Sequence, residues 1–258
     1  MSEQPDCIVL ERINQYFGDK QVLADINLAV PQGKIYGLLG PSGCGKTTTV
    51  KIMSGILEAS SGSVQVLGQA MPDLAVMNRI GYMAQSDALY SLMTAEENLS
   101  FFGALYGMKN KKIKERIHEV MALVNLTGEL TKVVGAYSGG MKRRLSLAMA
   151  LLHEPEVLIL DEPTVGIDPL LRKSIWDTLN AMTEQRGITI IVTTHVMDEA
   201  EKCNELAMIR DGRLIAHGTP LQLRQNVGAS SIEEAFIYYG NGEHGNDERA
   251  GGGSQHAD

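Results

Sequence analysis

The chain has 258 residues, 44% apolar and 21% charged, a balance ordinary for a globular protein with one large core or two modest ones. A formal net charge of −8 argues against nucleic acid as the main partner, and no apolar run reaches the roughly 18 residues of a membrane span. The opening MSEQPDCIVL lacks the basic residues and long apolar core of a secretory leader, so the expectation is a chain that stays in the cytoplasm, with Cys7, Cys44 and Cys203 as reduced thiols outside any metal spacing.

Cys7 to Arg12 and Asp25 to Val30 alternate apolar and polar residues, which predicts strands with one wet face. Between them stand Tyr16, Phe17 and Gly18, and residue type alone leaves base stacking and core packing both open for the aromatics. Ile35 to Leu39 predicts a buried strand and Thr47 to Met53 a helix. The loop joining them, Gly40, Pro41, Ser42, Gly43, Cys44, Gly45, Lys46 and Thr47, fits the phosphate-binding pattern without a mismatch, and Thr48 follows as a further nucleotide contact. Gly40, Gly43 and Gly45 permit backbone conformations that aim successive N–H groups at the α- and β-phosphates of a nucleotide. Lys46 then reaches the β- and γ-phosphates, and Thr47 offers its hydroxyl to Mg2+, an ion that keeps most of its waters. Cys44, inside the loop, is either a reactive thiol or a spectator.

Further along, Ser61 to Gly68 predicts a hairpin strand, and Arg79 to Gln85 another strand that ends in a polar residue. From about Asp87 to Leu152 the apolar period changes from two to about three and a half, which predicts a helical insert. Thr94 and Glu97 make a capping box for a helix through Tyr106. On the next helix, Lys109, Lys111, Lys112, Lys114 and Arg116 predict a solvated face ahead of the alternative, an anionic-lipid patch. Ser138 with Gly139 and Gly140 forms either a second anion site, with bare N–H groups beside a cap, or a plain glycine turn before the amphipathic run to Leu152.

Val157 to Leu160 predicts a compact buried strand that ends in Asp161 and Glu162. One carboxylate at such a strand end, beside a phosphate loop, is placed to hold Mg2+, and its neighbour to orient or deprotonate an attacking water. Asp168 and Pro169 open a helix that Gly187 closes, and Ile188 to Thr193 predicts a buried strand leading to His195. Asp211 and Gly212 turn a hairpin, Ser231 to Tyr238 predicts a short helix, and the glycine-rich polar sequence beyond Gly240 predicts disorder.

In this order the pieces resemble the ATP-binding subunit of an ABC transporter, from about Ile8 to Tyr239. The resemblance implies an α/β fold of the P-loop NTPase, ABC type: a mixed sheet core with an antiparallel β subdomain and a helical insert at about 87–152, all in one ATP-binding domain over 1–239. It implies that Phe17 stacks on adenine, with Tyr16 the fallback, and that Gln85 senses Mg2+ and the attacking water. Ser138, Gly139 and Gly140 become the signature loop that closes over the γ-phosphate held by an opposite subunit. Asp161 becomes a Mg2+ ligand, Glu162 the catalytic base, Asp168 a cross-interface aspartate and His195 a γ-phosphate contact. ATP and Mg2+ are the implied cofactors. The implied partners are a second ATP-binding subunit, either a copy of this chain or a paralogue, and separate membrane-spanning subunits, which would hold the chain peripherally on the inner face of the cell membrane. The expected docking surface is the groove between the Gln85 loop and the helical insert, from Asp87 to Phe102. Tyr137 and Met141 depart from the commonest signature, LSGGQ. YSGGM followed by Lys142, Arg143 and Arg144, the segment GALYGM and the segment SIEEAFI resemble the daunorubicin-exporter-like branch. That branch implies export of drugs, lipids, peptides or similar compounds, with an importer or a soluble ABC ATPase as the alternatives.

Overall fold

The computed structural model describes residues 5–86 and 88–242. In chain order its elements are β1 (Asp6–Phe17), β2 (Lys20–Pro31), β3 (Ile35–Leu39), α1 (Lys46–Met53), β4 (Ser61–Val66), β5 (Gln69–Ala70), α2 (Leu74–Met77), β6 (Ile80–Met83), α3 (Ala95–Leu105), α4 (Asn110–Leu123) and α5 (Gly139–Leu151). They continue with β7 (Val157–Asp161), α6 (Pro169–Arg186), β8 (Thr189–Thr194), α7 (Met197–Ala200), β9 (Glu205–Arg210), β10 (Arg213–Gly218), α8 (Pro220–Gln225) and α9 (Ile232–Gly240).

Two sheets organise the molecule. One is antiparallel, in the order β2-β1-β4-β5, and the other is six-stranded, in the order β10-β9-β3-β8-β7-β6. In the second, β9, β3, β8, β7 and β6 run parallel and β10 turns back on β9 at the edge. The short apolar runs of its strands are continuous because both faces are buried, and successive side chains go to opposite cores. Ile35, Leu158, Leu160, Ile190, Val192, Leu206 and Met208 face a core shared with the helices of the insert. Tyr36, Leu38, Val157, Ile159, Ile191, Ala207 and Ile209 face a second core beneath the antiparallel sheet.

The hairpin β1–β2 is longer than its alternation implied, because register shifts between Leu10 and Ile13 and again at Gln15 break the period of two. The stretch expected as a helical insert folds as α3, α4 and α5, with two short 3-10 turns between α4 and α5 and with Asp87 outside the described residues. Its capping box is present, with the Thr94 hydroxyl accepting from the Glu97 N–H at 3.2 Å and the Glu97 carboxylate accepting from the Thr94 N–H at 2.7 Å. Arg116 corrects the expected solvated face. Its side chain is buried, and its guanidinium donates to the carbonyls of Leu151 at 2.8 Å and Leu152 at 3.1 Å, closing the C-terminus of α5. The polar tail expected beyond Gly240 falls mainly on 243–258, outside the described residues.

Parallel pairing brings four strand ends level. Leu39 pairs with Thr194, Thr193 with Asp161 and Leu160 with Met83, so the segments that follow β3, β8, β7 and β6 leave the sheet along one edge. Ligands in open α/β sheets bind at such an edge.

Candidate functional site

The loop from β3 to α1 is shaped by what its glycines avoid. Gly45 sits at φ 110°, a left-handed conformation, and a Cβ there would stand 2.5 Å from the Leu23 side chain. No side chain caps α1, so its first N–H groups face the loop cavity and favour an anion. Lys46, nine-tenths buried, folds back to donate to the carbonyls of Gly40 at 2.7 Å and Pro41 at 2.9 Å. Ser42, Gly43, Gly45, Lys46, Thr47 and Thr48 line a cavity of about 130 Å³ together with Val22, Gln85 and Glu162. Cys44 is buried in the loop, and burial pushes its thiol above the ordinary range, which fits the spectator reading.

Three side chains converge on Glu162. Gln85 donates from Nε2 to Oε2 at 3.1 Å, His195 lies with Nδ1 3.1 Å from Oε1, and the Lys46 ammonium stands 4.0 Å from the same oxygen. A carboxylate only accepts here, so the proton of the His195 contact sits on Nδ1. Glu162 itself takes φ 52°, and its N–H donates to the hydroxyl of Thr193 at 2.9 Å.

Asp161 is fully buried; one carboxylate oxygen accepts from the Thr193 hydroxyl at 2.5 Å and the other, Oδ2, has no hydrogen-bond partner. An orphaned buried carboxylate oxygen suits a cation. A donor set of Asp161, the Thr47 hydroxyl and the Gln85 amide fits Mg2+, which takes few protein ligands and retains water.

The remaining expected site residues stand apart. Tyr16 and Phe17 are 45% and 53% exposed at the β1–β2 turn, which removes core packing as their reason. Ser138 and Gly139 lie on the surface at the start of α5, where the Ser138 hydroxyl caps the helix by accepting from the Met141 N–H at 3.2 Å. Gly140 is half-buried, and a Cβ at either glycine would meet nothing within 4 Å. No hydrogen bond among the described residues joins this turn to the phosphate loop. Asp168 is exposed and caps α6, accepting from the Leu171 N–H at 3.0 Å.

Sequence reasoning missed three residues that hold these groups. Thr193 ties Asp161 to Glu162 from the neighbouring strand. Glu199, buried on α7, accepts from the hydroxyls of Thr164 and of Thr194 and pairs with Arg172 at 3.6 Å, joining the segment after Glu162 to the one before His195. Arg143 donates to the carbonyls of Ala84, Gln85, Asp161 and Glu162. None of the three carried a signal of this role: Arg143 stood in the sequence only as one of three basic residues after the Ser138 turn.

Comparison with known proteins agrees with this geometry. A family model described as ABC transporter matches residues 23–165. The probable multidrug ABC transporter ATP-binding protein YbhF of Escherichia coli is 40% identical over 237 residues, which cover 89% of this chain and 41% of that protein. The linearmycin resistance ATP-binding protein LnrL of Bacillus subtilis is 39% identical over 238 residues, 88% of this chain and 76% of that protein. The chain thus spans less than half the length of YbhF and about three quarters of LnrL. Among solved structures, an ATP-binding subunit of an ABC transporter superposes with a TM-score of 0.83 at 26% identity, covering 91% of this chain and 99% of that one. The dimeric bacterial cassette MJ0796 gives 0.77 at 25% identity, covering 82% and 98%. A phosphate loop at the head of a parallel sheet is common to many folds, but a family match across 23–165, together with nearly 40% identity over most of the chain, is not: this chain belongs to the ABC transporter family.

Proposed function

We propose that the chain is the ATP-hydrolysing subunit of an ABC exporter, and that two ATP-binding subunits close head to tail around two ATP molecules. The observation that carries this reading is the convergence of Gln85, His195 and Lys46 on the Glu162 carboxylate beside an uncapped helix N-terminus. That is an arrangement for holding phosphates and for working on a water next to them.

In this mechanism the N–H groups at the start of α1 and the Lys46 ammonium bind and orient the phosphates. Phe17 supplies a stacking face for the base. Thr47, Asp161 and Gln85 hold Mg2+, which when bound neutralises charge on the phosphate oxygens. Glu162 accepts the proton of the attacking water, and Gln85 and His195 fix its carboxylate in place and mark the γ-phosphate end. Ser138, Gly139 and Gly140 belong to the site of the opposite subunit, where the hydroxyl and bare N–H groups suit an oxyanion, and Asp168 borders the same interface.

Export is supported by the names of relatives, which include multidrug, linearmycin resistance and Nod factor export proteins, and the cargo class we take is drugs, lipids, peptides or similar compounds. An edge-to-face cluster of Tyr90, Phe101 and Phe102, with ring centroids 5.2 and 5.5 Å apart, and the exposed Leu92 fall within the 87–102 stretch and support docking of membrane-spanning subunits there. Such docking would place the chain on the cytoplasmic face of the membrane; no helix among the described residues is long and apolar enough to cross one. We take 1–239 as the ATP-binding domain, with the helical part at about 87–152.

Glu162→Gln tests the reading, because it keeps shape and a hydrogen-bonding tip while removing the base. ATP should still bind, hydrolysis should fall on the order of a hundred- to ten-thousand-fold, and a closed dimer should accumulate in size-exclusion chromatography with ATP. Hydrolysis at the wild-type rate would show that another group is the base.

A further inference from the structure

Arg143 lies one turn into α5 and is only 7% exposed, yet the chemistry above makes no use of it. Its Nη1 donates to the carbonyls of Ala84 at 2.7 Å and Gln85 at 2.9 Å, and its Nη2 to those of Asp161 at 2.5 Å and Glu162 at 2.7 Å. The ladder between β6 and β7 ends with Met83 opposite Leu160. Past that point the strand ends are joined by the guanidinium instead of by each other. The planar fork of arginine can serve two carbonyls on each side, whereas the single nitrogen of lysine cannot bridge both strands in this way.

The side chains borne by those strand ends complete a ring. Arg143 holds the Gln85 and Glu162 backbones, and the Gln85 amide donates to the Glu162 carboxylate at 3.1 Å. The same helix carries Ser138 as its N-cap and Gly139 and Gly140 in its first turn, with the Lys142 N–H bonded to the Ser138 carbonyl at 2.9 Å. A displacement at the start of α5 therefore reaches Glu162 through one rigid turn and one side chain.

We propose that Arg143 is a positioning residue for hydrolysis: it sets the Gln85 amide against the Glu162 carboxylate and ties both to the helix that begins at Ser138. The proposal rests on the reading of Glu162 as base and of the Ser138 turn as the part that meets the opposite subunit. On that reading, engagement of a chain's Ser138 turn by its partner's nucleotide is felt at its own Glu162, so that the two sites of a dimer are coupled through Arg143.

The test measures ATP affinity, kcat and melting temperature for the wild type, Arg143→Lys and Arg143→Gln, each also combined with Gln85→Ala. Arg143→Lys should bind ATP within about twofold of wild type while kcat falls on the order of tenfold to a hundredfold, the scale of a misplaced catalytic group. In the Gln85→Ala background the same substitution should lower kcat much less, because one arm of the ring is already gone. Three results overturn the proposal: an unchanged kcat, an equal loss of kcat in both backgrounds, or loss of ATP affinity in step with kcat in both Arg143 variants. Lys46→Ala is the control for the underlying reading. If the wild type hydrolyses no faster than Lys46→Ala, both the hydrolase reading and this proposal fail; if it does hydrolyse faster, an unchanged Arg143→Lys removes the positioning role alone.

Discussion

Glu162 holds a left-handed backbone conformation that costs a non-glycine residue about 1–2 kcal/mol. Its N–H is bonded to the Thr193 hydroxyl and its carbonyl to Arg143, so neighbours on two elements keep it there. The carboxylate is thereby turned away from the strand direction towards Gln85 and His195. Phe17 stands at the opposite extreme, exposed at a turn and held by little. Phe17→Ala should leave the melting temperature nearly unchanged and raise KM for ATP more than it lowers kcat, as steady-state kinetics would show. If Tyr16→Ala does this instead, the stacking face belongs to its neighbour. Lys46 was legible from the phosphate-loop pattern and Glu162 from the strand end beside it, whereas Gln85 and His195 came only with the family resemblance; parallel pairing then gathers all four. Thr193, Glu199 and Arg143 were not, because their bonds reach across the fold: Arg143 and Ala84 are 59 residues apart in the chain.

Elements were read best where both faces are buried. β3, β7 and β8 came out within a residue of their apolar runs, since each run ends where the sheet edge does. β1 ran past its expected end because bulges hide its period, and the basic run on α4 hid one buried charge among solvated ones. His153 shows how elements meet. It follows α5, stacks on Tyr106 at the end of α3 with centroids 3.8 Å apart, and donates from Nε2 to the Ile80 carbonyl of β6 at 3.1 Å. Burial lowers its pKa from 6.5 to about 4, and its buried Nδ1 has no acceptor for a second proton. As pH falls the unfolded chain takes up that proton first. The stability tied to neutral His153 is therefore complete above pH 6.5 and is lost progressively towards pH 4. The loss amounts to about 3 kcal/mol, and urea unfolding above and within that window measures it. His153→Phe, which keeps a ring on Tyr106, should abolish the loss in this window; if it persists, another group is responsible.

For the whole molecule the telling feature is the exposed turn of Ser138 and Gly139, which no hydrogen bond among the described residues joins to the phosphate loop of its own chain. On the head-to-tail reading, a phosphate loop in one chain is completed by the turn of another. A damaged loop and a damaged turn then spoil different halves. Lys46→Ala and Ser138→Arg should each be inactive alone, the first for want of phosphate binding and the second because a bulky cation blocks the turn. Mixed in equal amounts before ATP is added, they should recover up to about a quarter of the wild-type rate, since half of the dimers formed at random are mixed and each mixed dimer keeps one sound site of two, and coupling between the sites lowers the figure further. A mixture as inactive as its components would mean that each chain completes its own site, pairs with a different ATP-binding subunit, or works only when both sites are sound. On that reading, in genetic terms, two null alleles of this one gene would partly complement each other when carried in the same cell, although neither restores ATP hydrolysis alone.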